Sequence, residues 1–493
     1  SGAGKWICAI CAVVVSVSAG FVLSIGTFQK ITAALVGLIA ALLVMSIQVR
    51  NHFLGLALLV VTAVAVPYEF GGTGKMALNS SPFLAGTICA IWLVEVVVLH
   101  RAVALKMGRP VLAAMALMGS VAVSFVAAQF PLFPSAGAPR GAQLAQVLIF
   151  LVSIGLFLIV GDLLKDIADL KRLTWLFLAA GGFVCVMHIV PTRVFPMLLG
   201  RLVHVAHQES IGSVFWIWLV AISASQAIFN RELTPMTRLA IGALTGLAVY
   251  RGLFLARSWV SGWLPPLVAL FVLLLFRVPR LAIITALLGG LLFLYFTPTM
   301  TEVTPAEEHY SAMTRLEAAR VLWPLIKESP FLGMGPANYH YYVSMSPILG
   351  WYVRFNSHNQ YLDLVAQLGA VGVATFGWLM CEILAAIWHL RVRFRGGFCE
   401  AYLLGALGGF AGTMLAGGLA DWILPFYYNI GLGGMRSSLL FWVFLGAVAV
   451  IRRAAYTEAS PAAPAVAGTT FAARFAAAKA EIAAGRRNRP ERF

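Results

Sequence analysis

Apolar segments long enough to cross a lipid bilayer follow one another along most of the 493-residue chain. A membrane-spanning helix needs about 20 predominantly apolar residues. Fourteen segments of this kind begin near Trp6, Ile31, His52, Pro82, Pro110, Gln143, Arg172, Ile211, Arg238, Ser258, Pro279, Tyr361, Ala401 and Arg436. Since 61% of the residues are hydrophobic and 11% are charged, the composition excludes a soluble globular protein. The sequence predicts an all-α, polytopic transmembrane helical bundle of about 12–14 spans.

The basic residues of the loops predict how the bundle is oriented. Alternate loops, at 48–51, 100–109, 161–172, 230–238, 277–280 and 390–399, carry 14 Lys and Arg in 49 residues. The loops between them carry 11 in 139 residues. Cytoplasmic loops are the ones enriched in Lys and Arg. We therefore expect both termini in the cytoplasm and the long hydrophilic segment 297–360 on the opposite side of the membrane.

The same segmentation divides the chain into four parts. Residues 1–296 are predicted to be a transmembrane scaffold, with outer segments at 191–210 and 251–257. Residues 297–360 form a large outer loop domain with helical structure, residues 361–453 are C-terminal transmembrane helices, and residues 454–493 are a basic cytoplasmic tail. Most of the basic residues behind the net charge of +16 lie in short loops between spans. Nucleic acid is therefore not an expected partner, whereas membrane lipids are.

Several cations nevertheless occur on the side that the loop charges predict to be poor in them. They are Arg193, Arg201, Arg251, Arg257, Arg315, Arg320, Lys327 and Arg354. A positive charge at the outer membrane face opposes insertion, so it persists where it has a function. Arginine offers phosphate oxygens a planar fork that is always charged. Although single members can be ordinary surface residues, the group as a whole predicts an anionic, phosphate-bearing substrate.

The large loop has one helical pattern followed by a turn. The spacing at 313–323 predicts a helix, with Thr314 as its N-cap and Glu317 completing a capping box, that stops around Pro330. The turn that follows contains Gly333 and Gly335. It lacks the lysine of a nucleotide-binding phosphate loop. The aromatic residues after it suit either sugar stacking or the membrane interface.

A histidine stands where this loop enters the next apolar helix. His358 lies in the sequence Ser-His-Asn-Gln-Tyr-Leu-Asp that ends at Asp363. Histidine is the usual general base near neutral pH, and this one lies where a lipid-anchored substrate would arrive. The alternative is an interface histidine that caps the helix. Asp363 could orient His358 or be a charge at the helix start.

Three stretches together resemble the bacterial O-antigen ligase family, within the inner-membrane ligase and polymerase superfamily. The most specific is residues 357–372, close to the family's His-Asn-x-x-Leu followed by Gly-x-x-Gly. The others are the arginine-headed helix and turn at 315–335 and the pair Arg257-Ser258. The family tends to have Ser-Arg where this chain has Ala256-Arg257-Ser258, which leaves open whether Arg251 or Arg257 plays the family role.

The resemblance implies a glycosyltransferase of the Gram-negative inner membrane whose active site faces the periplasm. Such ligases transfer O-antigen polysaccharide from undecaprenyl pyrophosphate to lipid A–core oligosaccharide, without a metal or other cofactor and with inversion at the transferred sugar. An O-antigen polymerase would use the same donor and a second lipid-linked glycan. A transporter of a lipid-linked anion is a further alternative, although it would be expected to place charges in mid-membrane.

This interpretation assigns catalysis to three residues and substrate binding to seven. The expected catalytic residues are His358, Arg315 and Arg257. The expected diphosphate and glycan contacts are Arg193, Arg201, Arg251, Arg354, Asn359, Gly335 and Tyr339. No metal is expected, because His204 and His207 lack a third ligand and no Asp-x-Asp is present.

Overall fold

A computed structural model describes residues 51–66, 69–70, 78–98, 108–130, 133–190, 212–280, 282–284, 286–287, 290–291 and 306–457. For 306–312 it describes the backbone only. The predicted spans near Trp6 and Ile31, the segment 191–210 with Arg193, Arg201, His204 and His207, the start of the large loop at 297–305, and the tail beyond residue 457 lie outside the described residues.

Helices make up nearly all of the secondary structure in these ranges, which confirms the all-α prediction. They are α1 His52–Ala65, α2 Ser80–Val97, α3 Arg109–Ala127, α4 Arg140–Leu163, α5 Ile167–Ile189, α6 Ser213–Phe229, α7 Pro235–Tyr250, α8 Val260–Arg277, α9 Ala306–Glu328, α10 Tyr339–Tyr342, α11 Gln360–Arg391, α12 Phe398–Leu419, α13 Gly431–Gly446 and α14 Val448–Thr457. The exception is a two-residue antiparallel ladder, β1 Glu69–Phe70 with β2 Leu78–Asn79.

Nine stretches of the described chain are helical, apolar and long enough to span a bilayer. Two shorter apolar helices, α1 and α6, accompany them. The apolar segments predicted from His52 to Ser258 and from Tyr361 to Arg436 all contain a helix. The segment predicted near Pro279 is helical at its described positions 279–280, 282–284, 286–287 and 290–291. The chain is thus a polytopic membrane protein.

The core of the bundle surrounds α6, a helix of 17 residues that is buried along almost its whole length. α6 packs against α7, α8, α12 and α13. Trp218 of α6 stacks on Phe444 of α13 with ring centroids 5.0 Å apart. Because lipid tails are as apolar as the helices, close packing rather than hydrophobicity holds such helices together. On α12, a Cβ at Gly408 would lie 2.8 Å from the Ala269 carbonyl oxygen of α8, so glycine permits this approach.

The loop helix α9 is longer than the sequence pattern predicts. It runs from Ala306 to Glu328, so Thr314 is an interior residue and the predicted N-cap at Thr314 is wrong. The apolar periodicity begins near residue 313. The helix extends further because Ala306, Glu307 and Glu308 are strong helix formers that need no apolar pattern. Its end, two residues before Pro330, agrees with the prediction.

The long helix α11 is broken one third of the way along. Gly369 has φ 63° and ψ −164°, which separates a first segment, Gln360–Leu368, from the rest. The turn before α10 fills the break: the N–H groups of Met334 and Gly335 donate to the carbonyls of Ala366 and Gln367, at 2.8 and 3.0 Å. The carbonyl ends of the first segment are therefore satisfied inside the protein, as a membrane environment requires.

Contacts along the chain define two compact units, Ser1–Arg453 and Ala454–Phe493. The residues that carry the candidate site and lie within the described ranges all belong to the first unit.

Candidate active site

His358 lies immediately before the first segment of α11 in a left-handed backbone conformation, with φ 49°. This conformation is uncommon for residues other than glycine and is concentrated at functional sites. The next residue, Asn359, is the N-cap: its side-chain oxygen accepts the N–H groups of Tyr361 and Leu362 at 3.0 and 3.2 Å. Asparagine is one of the preferred N-cap residues. The helix is therefore capped by Asn359 and not by His358, whose side chain is exposed.

A buried carboxylate holds the segment around His358 in place. Asp363, one turn into α11, accepts hydrogen bonds from the hydroxyls of Tyr339 and of Ser357, the latter at 2.6 Å. Burial, followed by the charge of Asp363, raises the pKa of Tyr339 well above its usual range, so the phenol keeps its proton and donates it to the carboxylate. Asp363 thus fixes the residue before His358 through its hydrogen bonds with Tyr339 and Ser357.

The loop between α12 and α13 meets His358 from the other side. Asn429 Nδ2 lies 3.3 Å from His358 Nδ1 and also hydrogen-bonds to Asp421 Oδ1. Asp421 is fully buried, and its second oxygen accepts the Phe426 N–H at 2.6 Å. Burial raises the pKa of Asp421 to about 6, against the lowering effect of its hydrogen bonds to Phe426 and Asn429. An acid, an amide and an imidazole are therefore connected in a row.

Two glutamines tie this loop to the helices around it. Gln360, the first residue of α11, accepts the N–H groups of Ile423 and Leu424 at 3.2 and 2.7 Å. Gln146 of α4 accepts the N–H of Tyr427 at 2.7 Å and donates to the Pro425 carbonyl at 3.1 Å. Both glutamines are buried. Because the side-chain oxygens of both buried glutamines accept backbone N–H groups of the 421–429 loop, they help to hold this loop in register with His358.

His358 lines a cavity of about 420 Å³ on the loop side of the bundle. The other lining residues are Thr314, Ile348, Leu349, Trp351, Val353, Phe355 and Asn356. Trp351 is 72% exposed, so the rim offers an aromatic face to a ligand. A mostly apolar cavity that also presents the polar groups of Thr314, Asn356 and His358 suits a glycan, whose rings stack on aromatic faces such as that of Trp351.

Arg315 lies on α9 next to a residue of the cavity wall but does not itself line the cavity. Thr314, its neighbour on α9, lines the cavity together with His358, and the Arg315 side chain is exposed. Arg320, on the same helix, forms an ion pair with Glu317 at 3.1 Å and is 71% exposed. The two arginines of α9 thus differ in their surroundings: the guanidinium of Arg320 already faces an acid.

Arg251 is the first residue of a π-helical turn, Arg251–Leu255, and Arg257 lies two residues after its end. The guanidinium of Arg251 lies 4.3 Å from the ring centre of Trp216 and 5.5 Å from that of Trp259. Trp259 in turn packs against Trp422, next to Asp421, at 6.2 Å. Arg257 is exposed, and its carbonyl accepts the Trp263 indole N–H at 2.9 Å. Arg251 therefore faces the protein, toward the 421–429 loop, and Arg257 faces outward.

An aromatic group surrounds Arg354. Its guanidinium lies 3.9 Å from the ring centre of Tyr341. Tyr428, from the 421–429 loop, lies 3.5 Å from Tyr341 between hydroxyl oxygens and stacks on His340 at 4.3 Å. His340 also bonds the Phe355 carbonyl at 2.9 Å. The group orients Arg354, whose cation is held over an aromatic face yet stays exposed.

Two of the predicted binding residues are buried. Tyr339 has no exposed surface, and it stacks on Phe426 at 4.5 Å. Gly335 has φ 88°, and a Cβ there would overlap Ala128 of α3. Because both residues are buried, they support the backbone of the site and present no surface that a substrate could touch.

Sequence reasoning missed Asp421 and Asn429. They lie in a loop without Lys or Arg, one of those predicted to face outward, and follow His358 by 63 and 71 residues. The one available signal is that Asp421 is the only acidic residue between Glu400 and Glu458. An isolated acid between two spans is expensive in a membrane protein and therefore marks a candidate site.

The described residues contain no group of three or more His, Cys, Asp or Glu that could hold a metal ion. The polar groups near His358 are instead paired with each other through hydrogen bonds.

Comparison with known protein families finds a match to part of the chain that carries this site. No curated protein matches the chain. The sequence model of the family described as O-antigen ligase matches residues 236–377, from the start of α7 into α11. The match includes Arg251, Arg257, Arg315, Arg354 and His358, and it ends before Asp421. Residues 236–377 therefore match an O-antigen ligase domain, and this domain lies within a polytopic membrane protein.

Proposed function

We propose that this chain is an O-antigen ligase of the Gram-negative inner membrane. It transfers O-antigen polysaccharide from undecaprenyl pyrophosphate to lipid A–core, with the site on the periplasmic side and both termini in the cytoplasm. The observation that carries the proposal is the position of His358 on a cavity, held at Nδ1 by Asn429 and beside Thr314 of the arginine-bearing helix α9.

In this proposal His358 is the general base. The imidazole takes the proton of an acceptor hydroxyl at Nε2, the second ring nitrogen, and becomes an imidazolium. The acceptor oxygen attacks the anomeric carbon of the donor, and the bond from that carbon to the diphosphate breaks on the opposite face. The configuration is inverted in one displacement. A positioned base of this kind typically contributes about 10²–10⁴-fold to the rate.

The departing undecaprenyl diphosphate gains negative charge, which fixed cations stabilise without an added metal. Arg315 and Arg257 are proposed to contact the diphosphate, since both are exposed. Arg354 is proposed to add to this positive charge. Arg251 is proposed to add to it from the inward-facing side of the turn Arg251–Leu255. Arg193 and Arg201 are proposed to complete the ring of cations from segment 191–210.

The remaining predicted binding residues are proposed to position the base. Asn359 caps α11 and donates to the Gly418 carbonyl at 3.2 Å. Tyr339 binds Asp363, and Gly335 fills the break in α11. Segment 297–360 is proposed to be the loop domain that closes the site from the periplasm, between a scaffold at 1–296 and helices at 361–453, with a basic cytoplasmic tail at 454–493.

The acceptor distinguishes a ligase from a polymerase. Purified full-length protein in lipid nanodiscs would receive undecaprenyl-pyrophosphate O-antigen together with rough lipopolysaccharide, in the presence of EDTA. We expect O-antigen joined to lipid A–core, resolved by gel electrophoresis. Longer glycan on undecaprenyl pyrophosphate with no lipopolysaccharide product would identify a polymerase. A parallel reaction without EDTA is run beside it. Absence of both products in both reactions would refute glycosyl transfer. Product that forms only in the reaction without EDTA would refute the metal-independent mechanism.

A further inference from the structure

The side-chain amide of Asn429 joins two groups that can each hold a proton. Its Nδ2 faces both His358 Nδ1, at 3.3 Å, and Asp421 Oδ1. An ionised carboxylate can only accept hydrogen bonds, and an NH2 group can only donate them. With Asp421 ionised, Nδ1 of His358 must therefore be an unprotonated acceptor. The neutral ring then carries its single proton on Nε2, and Nε2 cannot take a proton from an acceptor hydroxyl.

A second arrangement follows if the amide of Asn429 turns over. Its Oδ1 then faces both neighbours and accepts hydrogen bonds from each. Asp421 must in that case be a protonated carboxyl that donates, and His358 must carry its proton on Nδ1. The lone pair is now on Nε2. Of the two arrangements, this one gives His358 a basic nitrogen other than the one that faces Asn429.

We propose that Asp421 is a positioning residue: its protonation, relayed by the orientation of the Asn429 amide, determines which nitrogen of His358 can act as the base. The inference rests on the proposed function of His358 as the base. During transfer the acceptor proton goes to Nε2, while Nδ1–H stays on Asn429 Oδ1 and Asp421 keeps its own proton. No proton passes through Asn429.

The surroundings of Asp421 allow both protonation states near neutral pH. Burial raises its pKa to about 6. Two other groups interact with the charge of Asp421: the buried carboxyl group of Asp363 in α11 and the phenol of Tyr339 in α10. The Phe426 N–H, at 2.6 Å from Oδ2, and the Asn429 amide oppose this shift by favouring the carboxylate. The protonated form lies within reach because burial disfavours the charged carboxylate.

The protonation of His358 can be measured without any turnover. Full-length protein labelled with ¹⁵N-histidine in nanodiscs would be followed by NMR between pH 5 and pH 9, with the His358 signals assigned by their loss in His358→Ala. In the wild type we expect the neutral ring to change from the Nδ1–H to the Nε2–H form as Asp421 ionises. A neutral ring with one tautomer across this range overturns the inference, whether or not the protein ligates.

Asp421→Asn provides a second test. The Phe426 N–H needs an acceptor, which places the new amide oxygen at the Oδ2 position and its NH2 toward Asn429. The amide of Asn429 must then present Oδ1, so His358 is fixed as Nδ1–H at every pH. The matched control is Asp162→Asn, which keeps an acceptor for the Trp92 indole N–H now bonded at 3.0 Å. Asp162 lies 16 residues along α4 from Gln146, or about 24 Å.

Activity against pH separates this role from a merely structural one. Wild-type ligation should fall by about tenfold per pH unit once Asp421 is mostly ionised, because the base-competent fraction falls with it. Asp421→Asn should lose this alkaline decline, and Asp162→Asn should keep it. An unchanged alkaline limb in a folded Asp421→Asn variant overturns the inference. A wild type that makes no product refutes the proposed function instead, and the NMR result remains interpretable.

Discussion

His358 and the exposed arginines are held in opposite ways. Ser357, Asn359 and Gln360, the neighbours of His358, each make at least two hydrogen bonds to groups of α10, α11 or the 421–429 loop. Arg257 and Arg315, by contrast, are exposed and lie at the end of a turn or on the surface of a helix. The backbone around the proposed base is fixed in advance, whereas these cations face solvent.

This difference follows from what each group has to meet. A base must stand within hydrogen-bond reach of one proton, so its orientation decides the rate. A diphosphate is large and strongly charged, and cations that remain hydrated until it arrives avoid a buried unpaired charge. Substitutions behind His358 should therefore affect stability and catalysis together, and substitutions of exposed arginines should affect catalysis alone.

The largest effect is expected at the break in α11. Gly369→Ala places a Cβ onto the backbone of Phe331 at a position with φ 63°. Left-handed strain alone costs about 1–3 kcal/mol, and the overlap adds to it. We expect a large fall in the melting temperature and loss of ligation. Gly377→Ala is the control: it lies in the same helix with no atom within 4 Å of the new Cβ, and should leave the melting temperature unchanged or slightly raised.

Removing an exposed arginine should act on the reaction and leave the fold intact. Arg315→Ala is expected to lower kcat by about 10²–10³-fold, the usual effect of losing one donor to a developing anion. The melting temperature should not change. Arg320→Ala is the control on the same helix, because Arg320 is paired with Glu317. Equal losses in the two variants would contradict the role assigned to Arg315.

Tyr339→Phe tests the buried support of His358. It deletes a hydrogen bond to Asp363, whose other carboxylate oxygen is already buried and has no hydrogen-bond partner among the residues that the structure describes. Leaving a buried acceptor less satisfied costs about 1–3 kcal/mol. We expect a lower melting temperature and reduced kcat with little change in KM for the donor. A change confined to KM would instead indicate that Tyr339 contacts substrate.

The smallest effect is expected from the helix cap. Asn359→Ala removes the oxygen that accepts two N–H groups, and loss of an N-cap typically costs about 0.5–2 kcal/mol. Asn359→Asp keeps the acceptor and should restore most of the stability. Thermal unfolding in nanodiscs measures both variants. If Asn359→Asp is as unstable as Asn359→Ala, the donor side of the amide, bonded to Gly418, matters more than the cap.

The fold was largely predictable because the bilayer leaves few choices. A chain with repeated apolar segments of this length has to satisfy its backbone inside helices or a closed barrel. The apolar segments therefore predict the spans. They do not predict the break in α11, because the chain has 46 glycines and nothing local distinguishes Gly369 from those in unbroken helices.

The site was predictable only where its residues are neighbours in sequence. A local motif predicts His358, and charges on the side that the loop pattern predicts to be poor in cations predict the arginines. Asp421 and Asn429 were missed because their contact with His358 depends on how α12 and α13 pack against α11. The prediction of Thr314 as an N-cap failed for a different reason: a capping pattern inside a strong helix-forming stretch does not start a helix.

The rate of ligation by His358→Ala tests the account most directly. Single-turnover transfer from undecaprenyl-pyrophosphate O-antigen to rough lipopolysaccharide would be compared with the wild type at equal protein and donor concentrations. His389→Ala, an exposed histidine near the end of α11, is the control. We predict a loss of about 10²–10⁴-fold for His358→Ala with an unchanged melting temperature. A His358→Ala enzyme that ligates at the wild-type rate would contradict the account.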